Sequence, residues 1–180
     1  MGHLHYMLSM TAGLDWDEWD VPPTDSRGII LKMFSNPEDA ISFILSRPLR
    51  GKPGSKWVYN SGLSVLLGTI IEKRSSLKLT EFAQKYLFNP LGISRYKWTY
   101  IGKVPESSGG LFLRPRDMAK LGFLYLNKGK WNNKQVVSEK WIMDATSQYT
   151  VPTAANWCTA IKKNQYIAKR QDNSGLARFR

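Results

Sequence analysis

Ser75 and Lys78 stand three residues apart, a spacing that on one helical face brings a hydroxyl within reach of an amine. A lysine so placed can take the proton of a serine and free it to attack an ester or amide carbonyl. The segment Ser75-Ser76-Leu77-Lys78 falls between two helical patterns, however, and is read as a surface turn. His3 and His5 are two residues apart with no third ligand nearby, so no metal site is expected there. The one cysteine, Cys158, excludes a disulfide framework and any multi-cysteine metal centre.

The elements that would position any such group are mostly helical. Residues 7–14 form an apolar segment that runs into a turn at Thr11-Ala12-Gly13. Residues 15–27 are acidic, rich in Trp and broken by Pro22-Pro23, which predicts a surface loop. A helix is expected from about Asn36-Pro37, with Glu38 and Asp39 at its positive end, an apolar face of Ala40, Ile41, Ile44 and Leu45, and a stop at Pro48. Gly51, Pro53 and Gly54 mark a loop. Leu63, Leu66, Leu67, Ile70 and Ile71 then repeat at i, i+3, i+4, i+7 and i+8, predicting a largely buried helix over about 63–74.

Thr80 is expected to cap the next helix, with Phe82, Ala83, Tyr86 and Leu87 facing inward until Asn89-Pro90-Leu91-Gly92 ends it. Ser107-Ser108-Gly109-Gly110 predicts a turn or a tight backbone approach. Pro115 opens a helix to about Lys128 with Gly129 just past its end, its core face being Met118, Leu121, Leu124 and Tyr125. Residues 131–137 predict a short hairpin around Asn132-Asn133, and Ser138 caps a last helix through Trp141, Ile142 and Ala145. About five helices and very little strand suit the helical part of a mixed fold better than a free-standing bundle.

The chain has 180 residues, 42% of them apolar and 12% aromatic, enough to build a core and too many for a disordered chain. No window approaches the roughly 18 consecutive apolar residues of a membrane span. The formal net charge of +12 invites a nucleic-acid reading. Its distribution argues otherwise. The last 21 residues carry six basic groups against Asp172, and the basic groups before them are scattered among acids with no arginine-rich stripe. Residues 1–14 lack a charged start followed by a long apolar core, so no secretory signal is read there, and Tyr6 stands where a myristoylation motif needs Ser or Thr.

Five segments together resemble the class C β-lactamase and penicillin-binding-protein family of serine hydrolases, which also includes esterases and D-aminopeptidases. Leu8-Ser9-Met10-Thr11-Ala12-Gly13-Leu14 is similar to the segment that follows the family's nucleophile helix. Pro53-Gly54-Ser55-Lys56-Trp57-Val58-Tyr59-Asn60-Ser61-Gly62 is similar to its tyrosine motif, and Leu66-Leu67-Gly68-Thr69-Ile70-Ile71-Glu72 to the helix after it. Phe88-Asn89-Pro90-Leu91-Gly92 resembles a helix stop of the family, and the stretch from Ser108-Gly109-Gly110-Leu111 to Arg116-Asp117-Met118-Ala119-Lys120-Leu121-Gly122 resembles a further conserved run. The five occur in family order over about residues 7–147.

The resemblance implies an α+β fold, an antiparallel sheet flanked by helices, of which this chain would be a mostly helical fragment. It implies acyl transfer through a serine ester, with a Ser-x-x-Lys pair, a tyrosine that relays protons and a Lys-Thr-Gly or His-x-Gly strand beside the oxyanion hole. By resemblance Tyr59 is the catalytic tyrosine. Ser61 takes the third place of the Tyr-x-Asn motif, where Asn is usual, and Asn60 its variable middle place. The substrate would be a small-molecule amide or ester, with no cofactor, no metal and no specific nucleic-acid partner. The Ser-x-x-Lys of the family lies upstream of the segment matched by Leu8, and no Lys-Thr-Gly or His-x-Gly follows residue 147.

Residues 1–157 are therefore expected to be the central part of such a domain, without its nucleophile segment or last sheet strands. Residues 158–180 read as a basic tail that departs from the family pattern. Permitted codons for Cys158 to Ile161, read one nucleotide out of frame, can spell the Tyr-Gly-Tyr run the family often has there. A chain of this kind would be inactive by itself. A non-catalytic helical binding module, or a basic nucleic-acid-binding protein, are the other readings.

Overall fold

The protein is described by a computed structural model covering residues 3–21, 25–35 and 40–147 and the backbone of residues 177–178. In chain order, α1 (His3–Leu8) leads into a turn in which Met10 and Gly13 take positive φ. Residues 15–21 follow as a loop, then α2 (Ile29–Ser35) and α3 (Ala40–Leu45). The start expected for α3, around Asn36-Pro37, lies outside the described residues. A bridge between Leu14 and Leu49 closes this segment on itself. The long helix α4 (Ser61–Ser75) comes next, then α5 (Leu79–Ala83), which continues as a π-helical turn over Gln84–Phe88.

The second half is mixed. β1 (Tyr96–Trp98) is followed by a small hairpin, β2 (Tyr100–Ile101) and β3 (Val104–Pro105), and then by β4 (Leu111–Leu113). β4 pairs antiparallel with β1, Lys97 opposite Phe112, and its other edge pairs with β7 (Ala177–Arg178). The tight approach expected at Ser107-Ser108-Gly109-Gly110 falls on Gly110. A Cβ there would lie 2.6 Å from that of Glu106, so only glycine lets this loop close. α6 (Pro115–Leu126), the hairpin β5 (Lys130–Trp131) and β6 (Lys134–Gln135), and α7 (Glu139–Thr146) complete the described chain. The hairpin turns on Asn132 and Asn133, both at positive φ, as their side chains permit.

Two apolar clusters form the interior. Trp16, Met33, Ile44, Val65, Leu66 and Ile101 pack the loop and α2–α4 together. Phe88, Leu91, Ile93, Leu113 and Leu124 fill the space between the π turn, the β1–β4 sheet and α6. Each such side chain, when buried fully, contributes about 1.5–3 kcal/mol.

Several local expectations are corrected. α4 begins two residues early, because Asn60 caps it: the Asn60 side chain accepts from the Leu63 N–H at 3.1 Å. Its buried set is Gly62, Leu63, Val65, Leu66 and Gly68, so Val65 joins the core while Leu67, Ile70 and Ile71 stay half-buried. Lys78, not Thr80, is the N-cap of α5. Its N–H donates to Glu81, and the next N–H, of Leu79, donates to Glu72 of α4. Phe88 and Leu79 go inside while Tyr86 is exposed, since the π turn adds a residue and rotates the inward face. Tyr125 is likewise exposed, and the buried positions of α6 are Leu124 and Asp117. Seven short strand segments among the described residues exceed the strand content expected, because two- and three-residue pairings leave almost no periodic signal. No described helix is long and apolar enough to cross a membrane.

Candidate functional site

Tyr59 ends the loop after Pro53-Gly54, one residue before the cap of α4. Gly54 takes a φ of +86°, and its N–H donates to the Thr11 carbonyl, while the Val58 N–H donates to that of Met10. These bonds hold the tyrosine segment against the Met10–Gly13 turn, so the first two of the five segments are neighbours in space. The Tyr59 ring has two indole neighbours, Trp19 at 6.2 Å and Trp57 at 6.4 Å between centroids. Both contacts are tilted rather than stacked.

Ser61 is the first residue of α4. Its N–H and hydroxyl both donate to Glu18, the hydroxyl at 2.9 Å. The Trp16 indole N–H donates to the same carboxylate at 2.7 Å. Glu18 thus joins the acidic loop to the start of α4 across 43 positions of sequence. Trp16 reaches it because Gly62 has no side chain: a Cβ at Gly62 would lie 2.7 Å from the Trp16 ring and 3.0 Å from Ile44. The segment expected over residues 15–27 only as a surface loop supplies Trp19 beside Tyr59 and Trp16 and Glu18 at the start of α4, and the readable signal was the pairing of Trp with acids at Trp16, Glu18 and Trp19.

A cleft of about 410 Å³ opens here, lined by Trp16, Glu18, Trp19, Lys56, Trp57 and Tyr59 among others. Its walls mix these four aromatic rings with the charged side chains of Asp17, Glu18, Asp20, Arg50 and Lys56. A second hollow of about 310 Å³ behind the loop is lined by charges of both signs, including Asp15, Arg47 and Arg50. Asp15 pairs with Arg50 at 3.1 Å and with Arg47 at 3.7 Å, which pins the loop from behind.

Ser75 and Lys78 sit in the turn between α4 and α5. Ser75 donates to the Ile71 carbonyl at 2.7 Å, Ser76 adopts left-handed backbone, and Lys78 is a helix cap. The 15 residues of α4 put Ser75 about 22 Å from the Tyr59 end. Ser94 and Lys97 also have the Ser-x-x-Lys spacing, which sequence reasoning overlooked. Lys97 lies in β1 with its ammonium over the Phe112 ring, and extended backbone turns residues three apart to opposite faces. Among the described residues no group of three His, Cys, Asp or Glu side chains could hold a metal ion.

Removing the cap is expected to loosen the site. Asn60→Ala should cost about 1–2 kcal/mol, the upper part of the usual range because Asn60 is buried, read as a lower midpoint in urea unfolding. An unchanged midpoint would show that the cap is not holding the start of α4.

The described chain is a helix-rich α+β body with short antiparallel pairings, and Tyr59 lines a cleft together with Trp16, Trp19 and Trp57. A family model described as Beta-lactamase matches residues 4–157, and the chain belongs to that family, one of serine hydrolases. It is similar to a lovastatin esterase of Penicillium rubens, 29% identical over 100 residues covering 53% of this chain and 25% of that protein. It is similar to a 6-aminohexanoate-dimer hydrolase of Paenarthrobacter ureafaciens, 26% identical over 146 residues covering 76% of this chain and 37% of that protein. Its fold matches the structure of a 6-aminohexanoate-dimer hydrolase homologue from Bacillus anthracis with a TM-score of 0.65 at 22% identity, covering 77% of this chain and 39% of that one. The chain spans a quarter to two fifths of the length of these relatives.

Proposed function

We propose that this chain carries the tyrosine part of a serine hydrolase acting on small esters or amides. The observation that supports this most is Tyr59 itself, beside Trp19 and Trp57 in a cleft of about 410 Å³. In this reading the Tyr59 hydroxyl relays a proton between a serine nucleophile and the leaving group, and Ser61 offers a hydroxyl where the family has an amide. Residues 1–157 are the central part of the catalytic domain and residues 158–180 a basic tail. Cys158 to Ile161 and that tail lie outside the described residues, apart from the backbone of 177–178.

No Ser-x-x-Lys precedes Tyr59 in this sequence, and the two later matches lie in a helix–helix turn and around a strand. The chain therefore holds one of the three catalytic parts, and we expect it to turn over no substrate unaided. The test is hydrolysis of p-nitrophenyl esters and of nitrocefin by the purified chain, with Tyr59→Phe beside it. The expected result is no turnover by either. Turnover lost in Tyr59→Phe would overturn the inactivity but keep the role of Tyr59. Turnover equal in both would overturn that role. The two apolar clusters also favour a second reading, a binding module without catalysis. It predicts cooperative thermal unfolding and saturable ligand binding with no turnover, and an aggregated or molten product would count against it.

A further inference from the structure

We propose that Glu18 is a positioning residue for Tyr59, an inference that rests on the functional reading of Tyr59 given above. One carboxylate accepts three hydrogen bonds. Oε1 takes the Trp16 indole N–H at 2.7 Å and the Ser61 N–H, and Oε2 takes the Ser61 hydroxyl at 2.9 Å. The Ser61 N–H is among the first of α4 and has no partner within the helix. Asn60 serves the Leu63 N–H, so cap and carboxylate each satisfy one free donor at the helix start. A negative group at this end of the helix also meets the positive pole of its dipole.

The consequence falls on Tyr59 from two sides. The Ser61 amide belongs to the peptide that follows Asn60, so anchoring it fixes the backbone from which Tyr59 projects. Trp19, the residue after Glu18, lies against the Tyr59 ring, so the same anchor fixes the indole beside it. Trp57 bounds the ring separately. Without Glu18 the loop and the helix start lose their direct polar link. Tyr59 then keeps one aromatic neighbour of its own segment and loses its fixed direction. A proton-relaying hydroxyl must stay within hydrogen-bond reach of its partners, so this loss of direction would be felt in the chemistry.

The test is site-resolved acetylation of tyrosines in the full chain by N-acetylimidazole, read by mass spectrometry. Tyr86 and Tyr100, both about half exposed, serve as internal controls. Glu18→Ala should raise the rate at Tyr59 about fivefold relative to these controls, the fold-change of losing roughly one hydrogen bond's worth of local order. Glu18→Gln should restore a rate near that of the unaltered chain. Its amide oxygen can accept from both N–H groups and its amide nitrogen can donate to the Ser61 hydroxyl. A purely structural role would move the unfolding midpoint and all three tyrosines together.

A Tyr59 rate in Glu18→Ala unchanged against the controls overturns the proposal. Should that variant unfold, Ser61→Ala decides, since it removes only the hydroxyl contact: a selective rise at Tyr59 supports the proposal and none overturns it. Quenching of tryptophan fluorescence by the 4-nitroanilide of hexanoic acid separates the two readings. No saturable binding by the unaltered chain counts against Tyr59 lining a substrate cleft, the ground of the proposed function, while the acetylation result still stands. Saturable binding with no effect of Glu18→Ala on Tyr59 sinks the positioning role alone.

Discussion

Asp117→Ala is expected to lower the unfolding free energy by about 3 kcal/mol. The Asp117 side chain is fully buried, at 0% exposure, at the third position of α6. Arg114 Nε donates to its Oδ2 at 2.7 Å, and Lys120 Nζ stands 2.9 Å from Oδ1. Lys120 in turn donates to the Gly92 carbonyl at 2.9 Å, so the carboxylate ties α6 to the loop below the second apolar cluster. Breaking a buried ion pair from one side costs about 3–5 kcal/mol. The lower end applies because Arg114 and Lys120 keep 39% and 21% of their side-chain exposure and recover part of their hydration when Asp117 is removed. Loss of a negative group in the first turn of the helix acts in the same direction.

The same site carries a pH dependence with a definite sign. Burial raises the Asp117 pKa, but the hydrogen bonds and charges of Arg114 and Lys120 outweigh it and leave the carboxyl below the ordinary aspartate value of 3.8. The folded state therefore binds this proton less readily than the unfolded chain. The contribution of Asp117 is complete above that ordinary value and declines as the pH falls from it through the lower folded value. Unfolding midpoints of the unaltered chain and of Asp117→Ala should converge below this range. A constant difference between them down to pH 2 would show that the stabilisation is not ionic.

Trp16→Ala is expected to cost about 3–5 kcal/mol, the usual range for emptying a buried aromatic site. Trp16 is 4% exposed and packs in the first apolar cluster, edge-on to Phe43 at 6.4 Å. The cavity would open directly against Gly62 at the start of α4, and Glu18 would lose its indole donor. Trp16→Phe separates the two effects. It keeps most of the packing and loses only the N–H, so it should cost about 1–2 kcal/mol while leaving Glu18 one partner short. Thermal and urea unfolding would read both. Equal losses for the two variants would mean that the hydrogen bond, not the packing, dominates.

The legible part of this fold was whatever depends on neighbours in sequence. The Asn132-Asn133 turn, Pro115 at the first position of α6 and the Ser138 cap, whose hydroxyl accepts from the Trp141 N–H, all involve residues within four of each other. What was missed is non-local or aperiodic. Asp117 entered the sequence reading only as part of a family-like run, because its two cations stand three residues to either side, Arg114 at the cap and Lys120 on the helix, and only burial distinguishes it from a solvated pair. The shift of the inward face to Phe88 comes from one extra residue in the π turn, which hydrophobic periodicity at 3.6 cannot anticipate.

For the family, the residue types and the order of the five segments, the one around Tyr59 and Ser61 among them, were sufficient. Local chemistry carries that much: Pro53 and Gly54 set a loop, and the apolar repeat after Ser61 sets a helix. Tertiary structure alone decided that the acidic loop packs against the tyrosine segment. Trp16, Glu18 and Trp19 come to Tyr59 and Ser61 from some forty residues away, because Gly62 leaves room for one indole and the α4 N-terminus leaves an amide for one carboxylate. Packing and unpaired backbone donors chose those partners, and neither is written in the spacing of residues along the chain.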